Sequence, residues 1–400
     1  GLSWWGSVVT PDRSWDGLVS WSFRAHYLAP PADLNQPFFT DPAVFAHSAT
    51  YPLLQPLVLG ASQALLGPLW GRSVFPLWMI ACVLLVATTL SIHGLRSGYA
   101  ALGTLAFALT PMWYSIGSGA VDSGYAELLL VLVLLVAGCG LLLDHAWMVA
   151  FGAFLLPLVK PEGLPYAVLL CLVAGLDRSV RRTVHLWACG GMVIGLLLWL
   201  PLRQFLAHRP PTFAWWPLAL GAALLVGTEL ATRVLPRRAV PWLLALVGMA
   251  AVLVCTVFPQ PLETLLAHCS PGLAVSVDHL SRRFQQLPTM LWGYVQGLLF
   301  ARKFGLIFPL LGLILLAPRR FFGPSPRPAL VGLVVGGVAM GCGSVWFSPE
   351  GLEHELESRF DRLLLHWVGP AWLLVFAWIG GLADRRVAAD CPATRTRLAP

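Results

Sequence analysis

Apolar stretches of about 17 to 22 residues recur along most of the chain, and this recurrence decides the solvent in which it folds. The runs are continuous rather than alternating, so they read as helices that satisfy their own backbone groups in hydrocarbon. With 57% hydrophobic and 11% charged residues, the chain is far from soluble composition. The pattern predicts an all-α, polytopic transmembrane helix bundle. Spans are expected near positions 74–93, 98–116, 123–143, 184–202, 215–235, 240–258, 303–317, 329–347 and 364–382.

Between Trp147 and Leu176 the pattern changes. VAFGAFLLPLVKPEGLPYAVLLCLVAGL holds Lys160, Glu162 and three prolines within an apolar stretch, which favours two short helices meeting at KPEG. That brings the expected total to about eleven crossings. Tyr51 to Gly67 is apolar but short and broken by proline, so it reads equally as a span or as a re-entrant or interfacial helix.

Charge supplies the orientation. Under this span count Arg96, Arg178, Arg181, Arg182, Arg237, Arg238, Arg319, Arg320, Arg327, Arg385 and Arg386 fall on one side, which the positive-inside rule makes cytoplasmic. Asp12, Asp16, Asp33, Asp41, Asp122, Glu263, Asp278, Glu350, Glu353, Glu355, Glu357 and Asp361 fall on the other. The formal charge of +7 is therefore a topology signal and implies no nucleic-acid partner. Positions 1–50 are read as a first outward loop with a juxtamembrane helix, 51–390 as the membrane body with outward loops near 259–288 and 348–363, and 391–400 as a cytoplasmic tail. Gly1 already lies in a loop, so a preceding span is expected. The eight cysteines are scattered without zinc or disulfide spacing and read as small packing residues.

In SWDGLVSWSFRAHYLA, helical spacing puts Trp15, Leu18, Val19 and Ser22 on one face and Asp16, Ser20 and Arg24 on another. Such a helix is expected to rest on the membrane surface with its acid toward water, and its tryptophans suit the interface. On spacing alone Asp16 reads equally as a helix-capping acid.

WDGLVSWSFRAHYL, followed by HSATYPLLQPLVLGASQALLG from His47, resembles the start of GT-C class membrane glycosyltransferases, close to bacterial relatives of the dolichyl-phosphate-mannose protein mannosyltransferases. VDSGYAELLLVLVLL from Val121 is similar to that family's acid-bearing entry into a span. LVKPEGL from Leu158 resembles its Lys-x-Glu-Gly turn, and SRFDRLLLHWVGPAW from Ser358 its last outward loop and span. Positions 185 to 345 rest on hydropathy alone.

The resemblance implies a GT-C-like fold and transfer of a sugar from a polyprenyl-phosphate donor to an acceptor on the outer face of the cell (inner) membrane, with the site facing the periplasm or exterior. The acceptor class, whether protein, lipid or glycan, is left open. A phosphate leaving group needs cations rather than a strong acid, and the attacking hydroxyl needs a carboxylate base. The resemblance gives Asp16 the base position. Asp122 and Glu127 become auxiliary acids or acceptor ligands. The family carries Asp where this chain has Glu127, which argues against a strict catalytic role there, and Glu127 reads equally as a solvated span end. Arg359, Arg362 and Lys160 become donor-phosphate ligands. Arg359, Arg362 and His366 also share a face at i, i+3 and i+7, while local pairing with Glu355, Glu357 or Asp361 is the structural alternative. Lys160 and Glu162 read equally as a pair closing the turn. His47, Tyr51, Arg24 and Glu162 complete a possible loop site. Glu229 and Arg233 read as an intrahelical ion pair. The first segment has no Asp-x-Asp, so no cofactor and no essential divalent ion are expected, although Asp12 and Asp16 leave a shared metal open. The competing function is a transporter or flippase for a lipid-linked sugar or other anion, which a broken helix carrying Lys160 and Glu162 also suits.

Overall fold

Every regular element among the described residues is helical. The computed structural model describes residues 17–28, 36, 41, 51–114, 124–206, 215–234, 277–299, 303–316, 328–347 and 351–390. A π-helical turn, Gly17–Ser22, leads into α1 (Phe23–Leu28). Then come α2 (Leu54–Trp70), α3 (Val74–Ile92), α4 (Ser97–Ala108), α5 (Glu127–Leu143), α6 (Ala146–Val159), α7 (Gly163–Leu176), α8 (Arg182–Leu206) and α9 (Trp216–Val234). They are followed by α10 (Val277–Gln285), α11 (Leu287–Leu299), α12 (Ile307–Leu316), α13 (Pro328–Phe347), α14 (Leu352–Leu365, with a π-helical turn at Glu355–Arg359) and α15 (Val368–Asp390).

Among the described residues four stretches are long and apolar enough to cross a membrane: Leu54–Ile92, Arg182–Leu206, Pro217–Val234 and Pro328–Trp346. A fifth forms if α14 and α15, bent by 53° at His366 and Trp367, count as one broken span. Helices α5, α6, α7 and α12 are apolar but shorter, so length and composition alone give fewer spans than the expected eleven. The expected span at 240–258 lies outside the described residues. Large apolar side chains stand exposed on many helices, among them Ile92, Leu105, Ile194, Leu198, Leu313 and Leu316. Water does not tolerate so much exposed apolar surface, whereas lipid does.

Small residues bring the central helices together. A Cβ at Gly191 or Gly195 of α8 would overlap the carbonyl oxygens of Ala150 and Phe154 on α6. One at Gly152 of α6 would press on Ala137 of α5. Removing these Cβ atoms lets backbones approach closely, which is how helices gain packing energy where lipid already satisfies apolar side chains. Helix α5 is buried almost throughout as a result.

The expected break at KPEG is present and follows from two residues. Pro161 denies α-helical geometry to its predecessor, and Lys160 is extended at φ −151°, ψ 158°, ending α6. The chain then reverses so tightly that a Cβ at Gly163 would overlap the Leu156 carbonyl oxygen, so only glycine fits. Helix α2 breaks at Gly67, whose φ of 83° is followed by Pro68.

Two polar layers bound this assembly. At one end, the upper layer, Glu127 opens α5 beside the KPEG turn. At the other, the lower layer, Asp144 closes α5 and pairs with Arg181 ahead of α8. In the lower layer Asp177 also accepts hydrogen bonds from Ser179 and from the Ala329 N–H that begins α13. Between the layers lie the 17 residues of α5, a rise of about 25 Å.

Candidate functional site

The upper layer gathers charges that are far apart in sequence. Lys160 Nζ donates to Glu127 Oε1 at 2.8 Å, and Glu127 is fully buried. Lys160 stands 3.9 Å from Glu162, so its principal partner is the distant acid and not its neighbour across Pro161. Arg362 Nε approaches the same Glu127 oxygen at 3.8 Å, and its guanidinium lies 4.9 Å over the Tyr125 ring. The acid expected at a span mouth is therefore enclosed between two cations. Ionised side chains persist in such a place only when paired.

The α14–α15 elbow completes the cluster. His366 is fully buried at the bend, and its Nδ1 lies 3.1 Å from the Tyr166 hydroxyl of α7. Arg362 and His366 thus face the layer together, as their spacing predicts. Arg359 reaches Glu355 at 3.5 Å, the local pairing kept as its alternative, yet it remains close enough to act on the charge of Glu162. Three buried atoms, Glu127 Oε2, Glu162 Oε2 and His366 Nε2, have no hydrogen-bond partner among the described residues. Buried polar atoms in that state are unusual and suit a place where another molecule binds.

Helix α1 packs against α2, and Leu28 joins Leu53, Trp199 and Leu206 in a small apolar cluster that also touches Leu158, two residues before Lys160. Gln55 on α2 donates to the Gly124 carbonyl at 2.8 Å, three residues ahead of Glu127. Helix α1 and the start of α2 are thereby docked beside the upper layer. Its orientation differs from the expectation. Arg24 is buried rather than turned to water, because Trp21, Arg24, Ala25 and Leu28 form the packed face and Phe23 and His26 stand outside. The π-helical turn at Gly17–Ser22 adds residues to its turn, so the downstream face rotates away from that of a plain α-helix. Burial lowers the Arg24 pKa to about 9, with Tyr51 acting in the opposite direction. Tyr51 itself packs its ring 5.9 Å from Trp21.

Asp16, His47 and Asp122 lie outside the described residues, as does Asp12. Glu229 and Arg233 form the expected intrahelical pair at 2.8 Å, exposed enough to contribute little. No group of three or more His, Cys, Asp or Glu arranged to hold a metal occurs among the described residues. Sequence reasoning missed Tyr166 and Lys303. Tyr166 lies four residues after Glu162, on the same helical face. Lys303 pairs with Asp361, and its signal was a basic pair, Arg302 and Lys303, at the head of an apolar run.

No protein-family model, curated protein or solved structure matches the chain.

Proposed function

We propose that the chain is a membrane glycosyltransferase with GT-C-like architecture that moves a sugar from a polyprenyl-phosphate donor to an acceptor at the outer face of the cell membrane. The observation that carries this reading is the convergence of Lys160 and Arg362 on Glu127. Each residue comes from a different one of three segments on which the family resemblance rests. Helices α3 to α9, α12, α13 and α15 are taken as ten passes and the apolar run at 240–258 as one more, about eleven in all, whereas four stretches among the described residues, or five with the bent pair, are by themselves long and apolar enough to cross. Arg181, with Arg178 and Arg182 beside it in sequence, stands at the lower layer, and under the positive-inside rule the upper layer is taken as the outer one.

The acceptor hydroxyl oxygen attacks the anomeric carbon and its proton passes to the Asp16 carboxylate. The bond from that carbon to the phosphate oxygen breaks, and its electron pair leaves with polyprenyl phosphate. A single base and direct attack invert the anomeric centre. Arg362 is the cation suited to receive the phosphate. It stands beyond hydrogen-bonding distance of Glu127 and is more exposed than Lys160, 21% against 8%. Lys160 then holds Glu127 while Arg362 changes partner.

The test uses protein in liposomes with a panel of polyprenyl-phosphate hexoses and envelope extract, reading release of polyprenyl phosphate. Asp16→Asn is expected to lower release by roughly 10²–10⁴-fold while donor binding persists. Equal release by parent and variant would remove Asp16 from the mechanism. Donor binding without release by either protein would favour the second reading, a transporter of lipid-linked sugar. The buried Lys160–Glu127 pair at a helix break supports that reading. Flux would then fail in Lys160 variants and survive Asp16→Asn.

A further inference from the structure

Helix α14 has two polar faces, and only one of them turns to the charged layer. The other borders an open cavity of about 630 Å³, within the size range of small-molecule sites. On one wall α11 presents Thr289, Trp292 and Gln296, at i, i+3 and i+7. On the facing wall α14 presents Glu353, Glu357 and Asp361, and Lys303 closes an end through its ion pair with Asp361. The glycines of GYVQG create this shape. A Cβ at Gly293 would meet Leu356 at 2.5 Å and one at Gly297 would meet Phe360 at 2.7 Å. The two helices therefore touch along that line while the larger side chains beside it splay apart.

The chemistry of the walls selects a ligand class. Trp292 is 56% exposed, so its indole offers a flat platform to the C–H face of a sugar ring. Glu353 and Glu357 are exposed carboxylates able to accept from neighbouring hydroxyls, and Gln296 and Thr289 both donate and accept. Three acids against Lys303 leave the cavity net negative, which repels a phosphate or a uronic acid. The donor headgroup belongs with Lys160 and Arg362, and the cavity takes something uncharged or cationic and rich in hydroxyls. Asp361 and Arg362 are adjacent in sequence, so the two places are separated only by the thickness of α14.

We infer that this cavity is the acceptor site and that the acceptor is a neutral or amino-bearing saccharide. The word acceptor rests on the transferase reading above, whereas saccharide binding does not.

The experiment is saturation-transfer NMR and titration calorimetry on the full chain in lipid nanodiscs. The probes are a neutral mannose trisaccharide, a glucosamine trisaccharide, a uronic-acid trisaccharide and a lysine-rich tripeptide. Saturable binding of the first two is expected, with the uronic-acid probe at least about tenfold weaker. Trp292→Ala should abolish binding and Trp292→Phe retain part of it. The pair Glu353→Gln and Glu357→Gln should narrow the discrimination against the uronic acid. All are exposed positions, and a retained helical spectrum checks the fold. No binding of either favoured trisaccharide by folded protein overturns the inference, and binding of the tripeptide alone overturns it in favour of a protein acceptor. Polyprenyl phosphate release is read on the same sample. Saccharide binding without any release keeps the saccharide site and overturns its role as acceptor site.

Discussion

Replacing Lys160 with methionine isolates what the buried ion pair contributes. Glu127 is fully buried and meets Lys160 at 2.8 Å and Arg362 at 3.8 Å. With an effective dielectric of about 20, these contacts correspond to roughly 6 and 4 kcal/mol of attraction. Lys160→Met removes the larger one but also relieves the desolvation of the ammonium. Breaking a buried pair from one side typically costs about 3–5 kcal/mol, and the remaining Arg362 holds the loss near the lower end, about 3 kcal/mol. The double variant Glu127→Gln with Lys160→Met removes both charges of the pair and leaves only Arg362, partly exposed and stacked over Tyr125, without that carboxylate, so it should cost less than Lys160→Met alone, about 1–2 kcal/mol. The assay is unfolding in mixed detergent and SDS micelles followed by circular dichroism, run as a double-mutant cycle. Were Lys160→Met to cost under about 1 kcal/mol, or the two losses simply to add, water would be solvating Glu127 and the enclosed layer argued above would be wrong.

Gly163→Ala should destabilise by several kcal/mol or prevent folding, since its Cβ would overlap the Leu156 carbonyl, whereas Gly190→Ala, with open space around it, should be neutral or stabilising by about 0.4–1 kcal/mol in the same unfolding assay. Single cysteines report topology: Glu357→Cys should react with a membrane-impermeant maleimide on intact cells and Arg178→Cys only after permeabilisation, over the background of the native thiols. Labelling of both from one side would break the two-layer assignment.

Much of the helix framework was legible because its causes are local. Pro161 and Gly163 announced the KPEG break, and the expected starts of α3, α9 and α13 fall at the observed first turns because apolar runs mark them directly. Partner choice was less legible. Glu162 is two residues from Lys160, yet Lys160 bonds Glu127, 33 positions away, because Pro161 fixes an extended backbone that aims the ammonium at α5. Arg24 was misread because a π-helical turn shifts the face that follows, and nothing in simple 3.6-residue spacing signals such a turn. The cavity beside α14 was equally hidden, since its walls are 60 to 70 residues apart in sequence and meet only through Gly293 and Gly297.

Helix α5 is fastened to its neighbours at both extremities, by Lys160 above and, through Asp144, by Arg181 below. A rod tethered at top and bottom cannot slip lengthwise past α6 by a helical turn without rupturing one tether, and a piston stroke of that kind is one way membrane machines deliver cargo across a bilayer. What the double tether preserves is vertical registry. The hairpin of α5 and α6 acts as a fixed post that holds its charged crown at one depth.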